Sequence, residues 1–393
     1  MRTAKRACTL TPGNRITLLE SGDQYFPALE TALDAARREI FLESYIFDYD
    51  QTGRRITAAL MRAAQRGVAV HLLIDGFGSR TLAKGVIRQL RQAGVAVLIF
   101  RPELARFRLR RHRLRRLHRK LAVMDGAVAF VGGINIIDDM DTPHQIPPRY
   151  DYAVRVEGPL AAEVREAAQR LWSRIAWTQL RLPRRHGAAQ PLPPAPAEEE
   201  GAVCAALVIR DNLRHRRAIE DAYLAAIAAA QHEVVIANAY FLPGLRFRHA
   251  LIDAARRGVR VVLLLQGRVE YLLLHYASRA LYGVLLDAGV EIHEYHRSFL
   301  HAKVAVVDGH WATVGSSNID PFSLLLAREA NVVVESEEFA AELRTSLERA
   351  LQTGSRQVSP AQWHRQSWHR RLRVWLSYGL VRLLMGMAGY AGE

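Results

Sequence analysis

The sequence predicts an α/β protein built by duplication: two α/β/α sandwich halves, packed about a pseudo-two-fold axis, with one shared active site. Three observations carry that expectation. The segment His118-Arg119-Lys120-Leu121-Ala122-Val123-Met124-Asp125 returns 183 positions later as His301-Ala302-Lys303-Val304-Ala305-Val306-Val307-Asp308. Each copy is followed by a glycine-bearing turn and by an asparagine 17 residues beyond its histidine, Gly132-Gly133-Ile134-Asn135 and Gly315-Ser316-Ser317-Asn318. Around both copies, short apolar runs alternate with helical stretches, the pattern of strands linked through helices.

The elements repeat in the same order. Ile40–Phe47 reads as a buried strand, and Val235–Leu242 is its counterpart. A helical stretch follows in each half and runs through Gly67 or Gly258 into a strand, at Leu60–Ile74 and Leu251–Leu265. Those glycines stand where a helix end needs a left-handed residue. A further helix-glycine-strand unit surrounds Gly94-Val95 and Gly289-Val290, so each sheet is expected to be largely parallel. The motif itself predicts a hairpin, because Asp125-Gly126 and Asp308-Gly309 each lie between apolar runs. That turn gives each aspartate a structural job, which favours anchoring over proton transfer.

The domain boundaries follow. Residues 1–182 form the first half and 204–355 the second. A Pro/Ala/Glu-rich linker separates them at 183–203, and a basic amphipathic tail occupies 356–393. The halves differ in one place: 24 residues separate Gly94 from His118, but only 12 separate Gly289 from His301. The extra length carries nine arginines between Arg101 and Arg119, interleaved with Phe107, Leu109, Leu114 and Leu117. Such a run suits a solvated loop, a nucleic acid or lipid headgroups, and the apolar residues favour lipid. In the tail, Leu372, Trp375, Leu376, Leu380, Leu383 and Leu384 recur at helical spacing among Arg370, Arg371, Arg373 and Arg382. The pattern fits a helix lying in a membrane interface or one packed on the protein core.

Bulk properties narrow the class. A net charge of +15 and a pI near 10.3 point to a polyanionic partner, nucleic acid or an anionic bilayer. Cys8 and Cys204 are too few for a disulfide framework. The N-terminus lacks an apolar signal core and no stretch approaches the length of a membrane span, so a cytoplasmic, peripheral position is expected. No His/Cys/Asp grouping has metal-ligand spacing, and neither metal nor cofactor is expected.

Strand alternation places His and Lys two apart on one side. Two such strands brought together offer two imidazoles, two ammonium groups and two amides around one small anion, a site for a phosphate diester. The chain has 54 Lys plus Arg but only four lysines, Lys5, Lys84, Lys120 and Lys303. Two of those four lie in the repeated motif, where a compact ammonium is not interchangeable with a guanidinium fork. The candidate catalytic set is therefore His118, Lys120, Asp125, His301, Lys303 and Asp308, with Asn135 and Asn318 binding phosphate.

The paired H-x-K-x4-D motifs with their downstream asparagines resemble the phospholipase D superfamily over nearly the whole chain. Three segments, Ala237–Gly244, His310–Pro321 and Asp151–Pro159, resemble the B form of the bacterial cardiolipin synthases more narrowly. Two positions depart from that form: Ala302 stands where glycine is usual, and Ala327-Arg328-Glu329 where Asn-Leu-Glu is expected. The resemblance implies that one histidine attacks phosphorus to give a phosphohistidine while the other protonates the leaving alcohol and deprotonates the incoming one. It makes His118 the nucleophile and His301 the acid, with Asp151 and Glu329 orienting the rings. The implied function is phosphatidyl transfer between two phosphatidylglycerols, giving cardiolipin and glycerol at the cytoplasmic face of the bacterial cell membrane. The implied partners are phosphatidylglycerol and other anionic phospholipids, and no nucleic acid. A phospholipase D using water keeps the same chemistry, and phosphatidic acid as product would reveal it. A nuclease of the superfamily would instead show a basic groove without an apolar lipid approach.

Overall fold

The computed structural model describes residues 8–101, 115–142, 146–179, 202–211, 215–269, 272–320, 327–365 and 367–387. Most of the expected linker and the centre of the arginine-rich insertion, with Phe107, Leu109 and Leu114, lie outside the described residues.

The first half runs β1 (Thr11–Glu20), α1 (Ser21–Ala35), β2 (Glu39–Ser44), α2 (Gln51–Gln65), β3 (Ala69–Asp75), α3 (Lys84–Gln92), β4 (Ala96–Phe100), β5 (Arg116–Leu117), β6 (Lys120–Met124), β7 (Val128–Gly132), β8 (Tyr152–Glu157) and α4 (Pro159–Thr178). The second runs β9 (Val203–Arg210), α5 (Ala218–Ala229), β10 (Glu233–Asn238), α6 (Leu245–Arg256), β11 (Arg260–Gln266), α7 (Leu272–Arg279), α8 (Tyr282–Asp287), β12 (Glu291–Tyr295), β13 (Lys303–Val307), β14 (Trp311–Gly315), β15 (Ala327–Glu335) and α9 (Glu337–Gly354). Beyond it come β16 (Ser355–Gln357), α10 (Pro360–His364) and α11 (Trp368–Met387).

Duplication is plain in the sheet. The strand orders β1-β8-β7-β6-β2-β3-β4 and β9-β15-β14-β13-β10-β11-β12 are equivalent, and β16 extends the second. The two sheets join edge to edge, β1 antiparallel to β9, with Thr11 opposite Ala205 and Asn14 opposite Val203. The expectation of largely parallel sheets is corrected. Among the described strands, β2-β3-β4 and β10-β11-β12 are parallel, and the remaining strand pairings along each sheet are antiparallel. The reason is local: only the helix-glycine-strand units supply crossovers, whereas the motif strands reverse through tight turns. Gly67 and Gly258 end α2 and α6 at φ of +88° and +91°, a conformation open to glycine at no steric cost.

Helices cover both faces, so strands such as Val234–Ala237 and Val304–Val307 are apolar throughout. Outer helices α1 to α3 close one core against the first sheet, and α5 to α8 close another against the second. Between them, α4 and α9 bury a third core containing Leu18, Val123, Val154, Val235, Val304, Val332, Leu343 and Leu347. Both halves contribute to this inner core, so neither has a complete one alone.

The boundary expected at residue 355 is also corrected. Strand β16 pairs antiparallel with β12, with His293 opposite Gln357, and Val358 N–H donates to Ile292 O at 2.8 Å. The second half therefore reaches residue 358. Beyond it, the Trp363 ring lies 5.1 Å from the Tyr282 ring, and α11 runs along α7 with Val374 and Val381 buried.

Candidate active site

The site is assembled at the joint between the halves. Just before Lys120 begins β6, the chain leaves its own sheet and pairs as β5 with β15, Leu117 opposite Arg328. His118 N–H then donates to Arg328 O at 3.0 Å. The second half does the same: Leu300 bridges to Tyr150, and His301 N–H donates to Tyr150 O at 2.8 Å.

The side chains follow their backbones across the joint. His118 Nδ1 lies 2.8 Å from Glu329 Oε1, and His301 Nδ1 lies 2.6 Å from Asp151 Oδ2. Each histidine is thus held at its main chain and at its ring by two consecutive residues of the other half. Position in the chain identified Asp151 and Glu329 but not which ring each serves, and the pairing is crossed. Both carboxylates are almost fully buried. Ser316 Oγ donates to Glu329 Oε2 at 2.6 Å, and Tyr152 N–H donates to Asp151 Oδ1 at 2.8 Å. Gly133 has no side chain because a Cβ there would collide with the Asp151 carboxylate. That contact explains why the first turn reads Gly-Gly and the second Gly-Ser.

Lys120 and Lys303 are buried on the same side as their histidines, and each Nζ donates to the carbonyl of its own motif histidine, His118 or His301. Lys303 Nζ also lies 3.8 Å from Asp151 Oδ2. The Tyr45 ring closes the first side, 4.8 Å from the His118 ring and 5.4 Å from Lys120 Nζ. Phe299 stands over His301 at 6.1 Å, with the Arg149 guanidinium 5.5 Å from its ring. Asn135 accepts from Ile46 N–H through Oδ1 at 3.0 Å, which turns its amide nitrogen the other way. Asn318 is equally buried.

The lysine of each half acts on the histidine of the other as well as on its own. Burial pushes the His118 ring below the usual histidine range, and Lys120 and Lys303 push it further against the pull of Glu329. Burial and the Lys303 ammonium push His301 to about 3, and Lys120 adds to the shift. Burial, aided by Lys303, brings Lys120 down to about 7. Burial is the main cause of all three shifts and the like charges of Lys120 and Lys303 add to it, so a bound anion would raise all three. Anion binding should therefore take up protons, and affinity should fall as pH rises through 7 and Lys120 loses its charge. Sulfate, which does not titrate there, provides the measurement. Calorimetry in buffers of different ionisation heat should show proton uptake near pH 7 and weaker binding at pH 8 than at pH 6. Affinity independent of pH would contradict this account.

Asp125 and Asp308, counted among the catalytic candidates, are placed elsewhere. They occupy the hairpin turns at φ of +55° and +49°, seven residues along an extended strand from their histidines, roughly 20 Å away. Asp125 accepts from the Arg37, Arg38 and Glu39 amides at 2.8–2.9 Å, and Asp308 from those of Gln231, His232 and Glu233 at 2.8 Å. Each aspartate staples its hairpin to the start of the neighbouring strand. Burial alone would raise the Asp308 carboxyl, but the three amides outweigh it and hold it below the usual range. The ionised form therefore contributes stability above the ordinary aspartate range, and that contribution is lost as pH falls through the depressed value. Asp308→Ala should cost about 1–2 kcal/mol, the partial exposure of these bonds considered, and leave turnover unchanged at permissive temperature. A turnover loss without a stability loss, read from thermal melts beside initial rates, would return Asp308 to the chemistry.

Sequence reasoning missed several supports. Asp75, fully buried at the end of β3, accepts from Leu117 N–H at 2.9 Å and from Phe77 and Gly78 N–H at 2.9 and 3.1 Å. Its counterpart Gln266 ends β11 and donates through Nε2 to Leu300 O at 3.4 Å. A polar residue at the carboxyl end of a parallel strand was the available signal. Arg119 points away from the site and forms a buried pair with Glu43 at 2.6 and 2.7 Å. Ala302, at the equivalent position, is buried in the inner core. Arg328 serves His118 through its main chain, while burial and neighbouring Arg119 and Arg174 bring its guanidinium down to about 10.

Comparison with known proteins identifies the family. A family model described as "Cardiolipin synthase, PLD-like domain" matches residues 29–172 and 223–351. The chain is 39% identical to cardiolipin synthase B of Shigella flexneri, covering 98% of this chain and 91% of that protein. It is 30% identical to the probable cardiolipin synthase YwiE of Bacillus subtilis, over 90% of this chain and 69% of that one. Among solved structures, phosphatidylserine synthase of Haemophilus influenzae superposes with a TM-score of 0.72 over 96% of this chain and 95% of its own, at 12% identity, a likeness of fold. The family model and the relatives matched over nearly the full length show that the chain belongs to the phospholipase D-like cardiolipin synthase family.

Proposed function

We propose that the chain is a phosphatidyltransferase joining two phosphatidylglycerol molecules into cardiolipin with release of glycerol. The observation that supports this best is the pair of imidazoles, each with Nδ1 engaged by a buried carboxylate, beside two buried lysines. A ring whose Nδ1 proton is engaged keeps its reactive nitrogen at Nε2. His118 Nε2 attacks the donor's phosphorus as the P–O bond to glycerol breaks, and His301, which takes up a proton as the anionic substrate binds, gives that oxygen its proton. The terminal hydroxyl of a second phosphatidylglycerol then passes its proton to His301 as its oxygen bonds phosphorus and the P–N bond breaks. Lys120, Lys303, Asn135 and Asn318 hold the non-bridging oxygens as charge develops. Giving His118 the nucleophilic role rests on the family resemblance.

The partner on this reading is an anionic phospholipid surface at the cytoplasmic face of the cell membrane. The net charge of +15 supports it, and among the described residues no helix is long and apolar enough to cross a membrane.

Incubation with labelled phosphatidylglycerol tests the reaction. Cardiolipin and glycerol should appear in equal amounts, and exhaustive EDTA should leave the rate unchanged because the lysines neutralise the phosphate. Phosphatidic acid as the main product would replace the acceptor lipid by water. A loss restored by zinc or magnesium would place the charge compensation on a metal.

A further inference from the structure

The tail helix α11 has two unlike faces. Val374 and Val381 are buried toward α7, on one side of the helix. Trp368, Leu372, Trp375, Leu376, Leu380 and Leu383 are all exposed, Trp368 at 66% and Leu376 at 63%. At about 100° per residue, these six fall within one stripe centred nearly opposite the buried valines. Arg373 and Arg382 fall at its two margins, and both are exposed. From Pro360 to Met387 the sequence contains five arginines and no carboxylate.

We propose that this outward face is a lipid-docking surface, which seats α11 in the headgroup layer of an anionic bilayer with the stripe in the acyl boundary. The proposal rests on the phospholipid reading of the site and names the device that brings the site to its substrate. Large exposed apolar side chains in a continuous stripe mark an interaction surface rather than ordinary scatter. Charge selects the occupant. A second copy docking through the same face about a two-fold axis would set arginine margins against arginine margins. An anionic headgroup layer instead matches both margins, while tryptophan rings suit its polar boundary.

The placement also suits delivery. Helix α7, along which α11 lies, begins at Leu272, six residues after Gln266, and Gln266 Nε2 donates to Leu300 O immediately before His301. Val269 and Leu272 on that connection are exposed as well, at 52% and 62%. Helix α7 thus links the helix that carries the stripe to the strand end that holds the residue before His301.

The test uses the full chain carrying Leu372→Glu with Leu376→Glu, and separately Trp375→Ser. Flotation with phosphatidylglycerol vesicles should fall about tenfold or more for the double variant and less for the single one. Thermal melts and turnover of monomeric short-chain phosphatidylglycerol should match wild type. His118→Ala should float normally and turn over nothing. Unchanged flotation in both variants would overturn the proposal. So would a wild-type dimer that the variants dissociate while vesicle binding persists, since the face would then be covered by a second copy. If the wild type floats through α11 but yields no cardiolipin, the function reading fails and the docking surface stands.

Discussion

Glu329→Gln should abolish turnover almost completely, by about 10⁴-fold, because a ring without its Nδ1 acceptor populates the wrong tautomer and orientation. Asp151→Asn should be comparably damaging with phosphatidylglycerol, where the departing glycerol oxygen must receive a proton. The two should separate on a substrate whose leaving group is a nitrophenol. Such a group departs without protonation, so the first-turnover burst should largely return in Asp151→Asn and in His301→Ala. It should remain lost in Glu329→Gln and His118→Ala, because these act on the attacking ring. The contrast depends on the crossed pairs, His118 with Glu329 and His301 with Asp151. Rescue of Glu329→Gln in place of Asp151→Asn would exchange the two histidine roles. Rescue of neither, with both variants folded, would mean that proton delivery to the leaving group is not what His301 supplies.

Cutting the chain between its halves should leave activity intact while they stay together and abolish it when they part. A protease site placed within residues 183–201 provides the cut. Each half alone lacks three things that the other supplies. The ring of its histidine loses its carboxylate, the main-chain amide loses its acceptor at Arg328 or Tyr150, and the inner core loses half its residues. The exposed edge of β1 or β9 would also invite non-native pairing. Nicked protein should therefore run as one species with wild-type rate, and chains ending at 182 or starting at 204 should each show no turnover. Activity in either half alone would mean that one motif suffices, and the single shared site would be wrong.

Much of this was legible from residues alone because the information is local and repeated. The H-x-K spacing on a strand puts histidine and lysine on one side, and Asp-Gly between apolar runs makes the hairpin. Gly67 and Gly258 mark helix ends through their backbone freedom. Scarcity of lysine singled out Lys120 and Lys303, and the structure buries both beside their histidines. Even the anchoring of Asp125 and Asp308 followed from turn chemistry, although the motif had grouped them with the catalytic residues.

Residue pattern alone thus carried the duplication, the elements within each half and the residue types that meet at the site. Which carboxylate serves which histidine follows from the folded chain, because Asp151 and His301 are 150 residues apart and Glu329 and His118 are 211 apart. Periodicity cannot rank contacts at such separations; the edge-to-edge joining of two sheets creates them. The same holds for the antiparallel surroundings of the parallel strands, for Asp75 and Gln266 gripping the residue before each histidine, and for the two faces of α11. A helical pattern states which side chains share a stripe. Which stripe faces protein and which faces outward depends on α7, an element about a hundred residues earlier in the chain, and packing alone settles it.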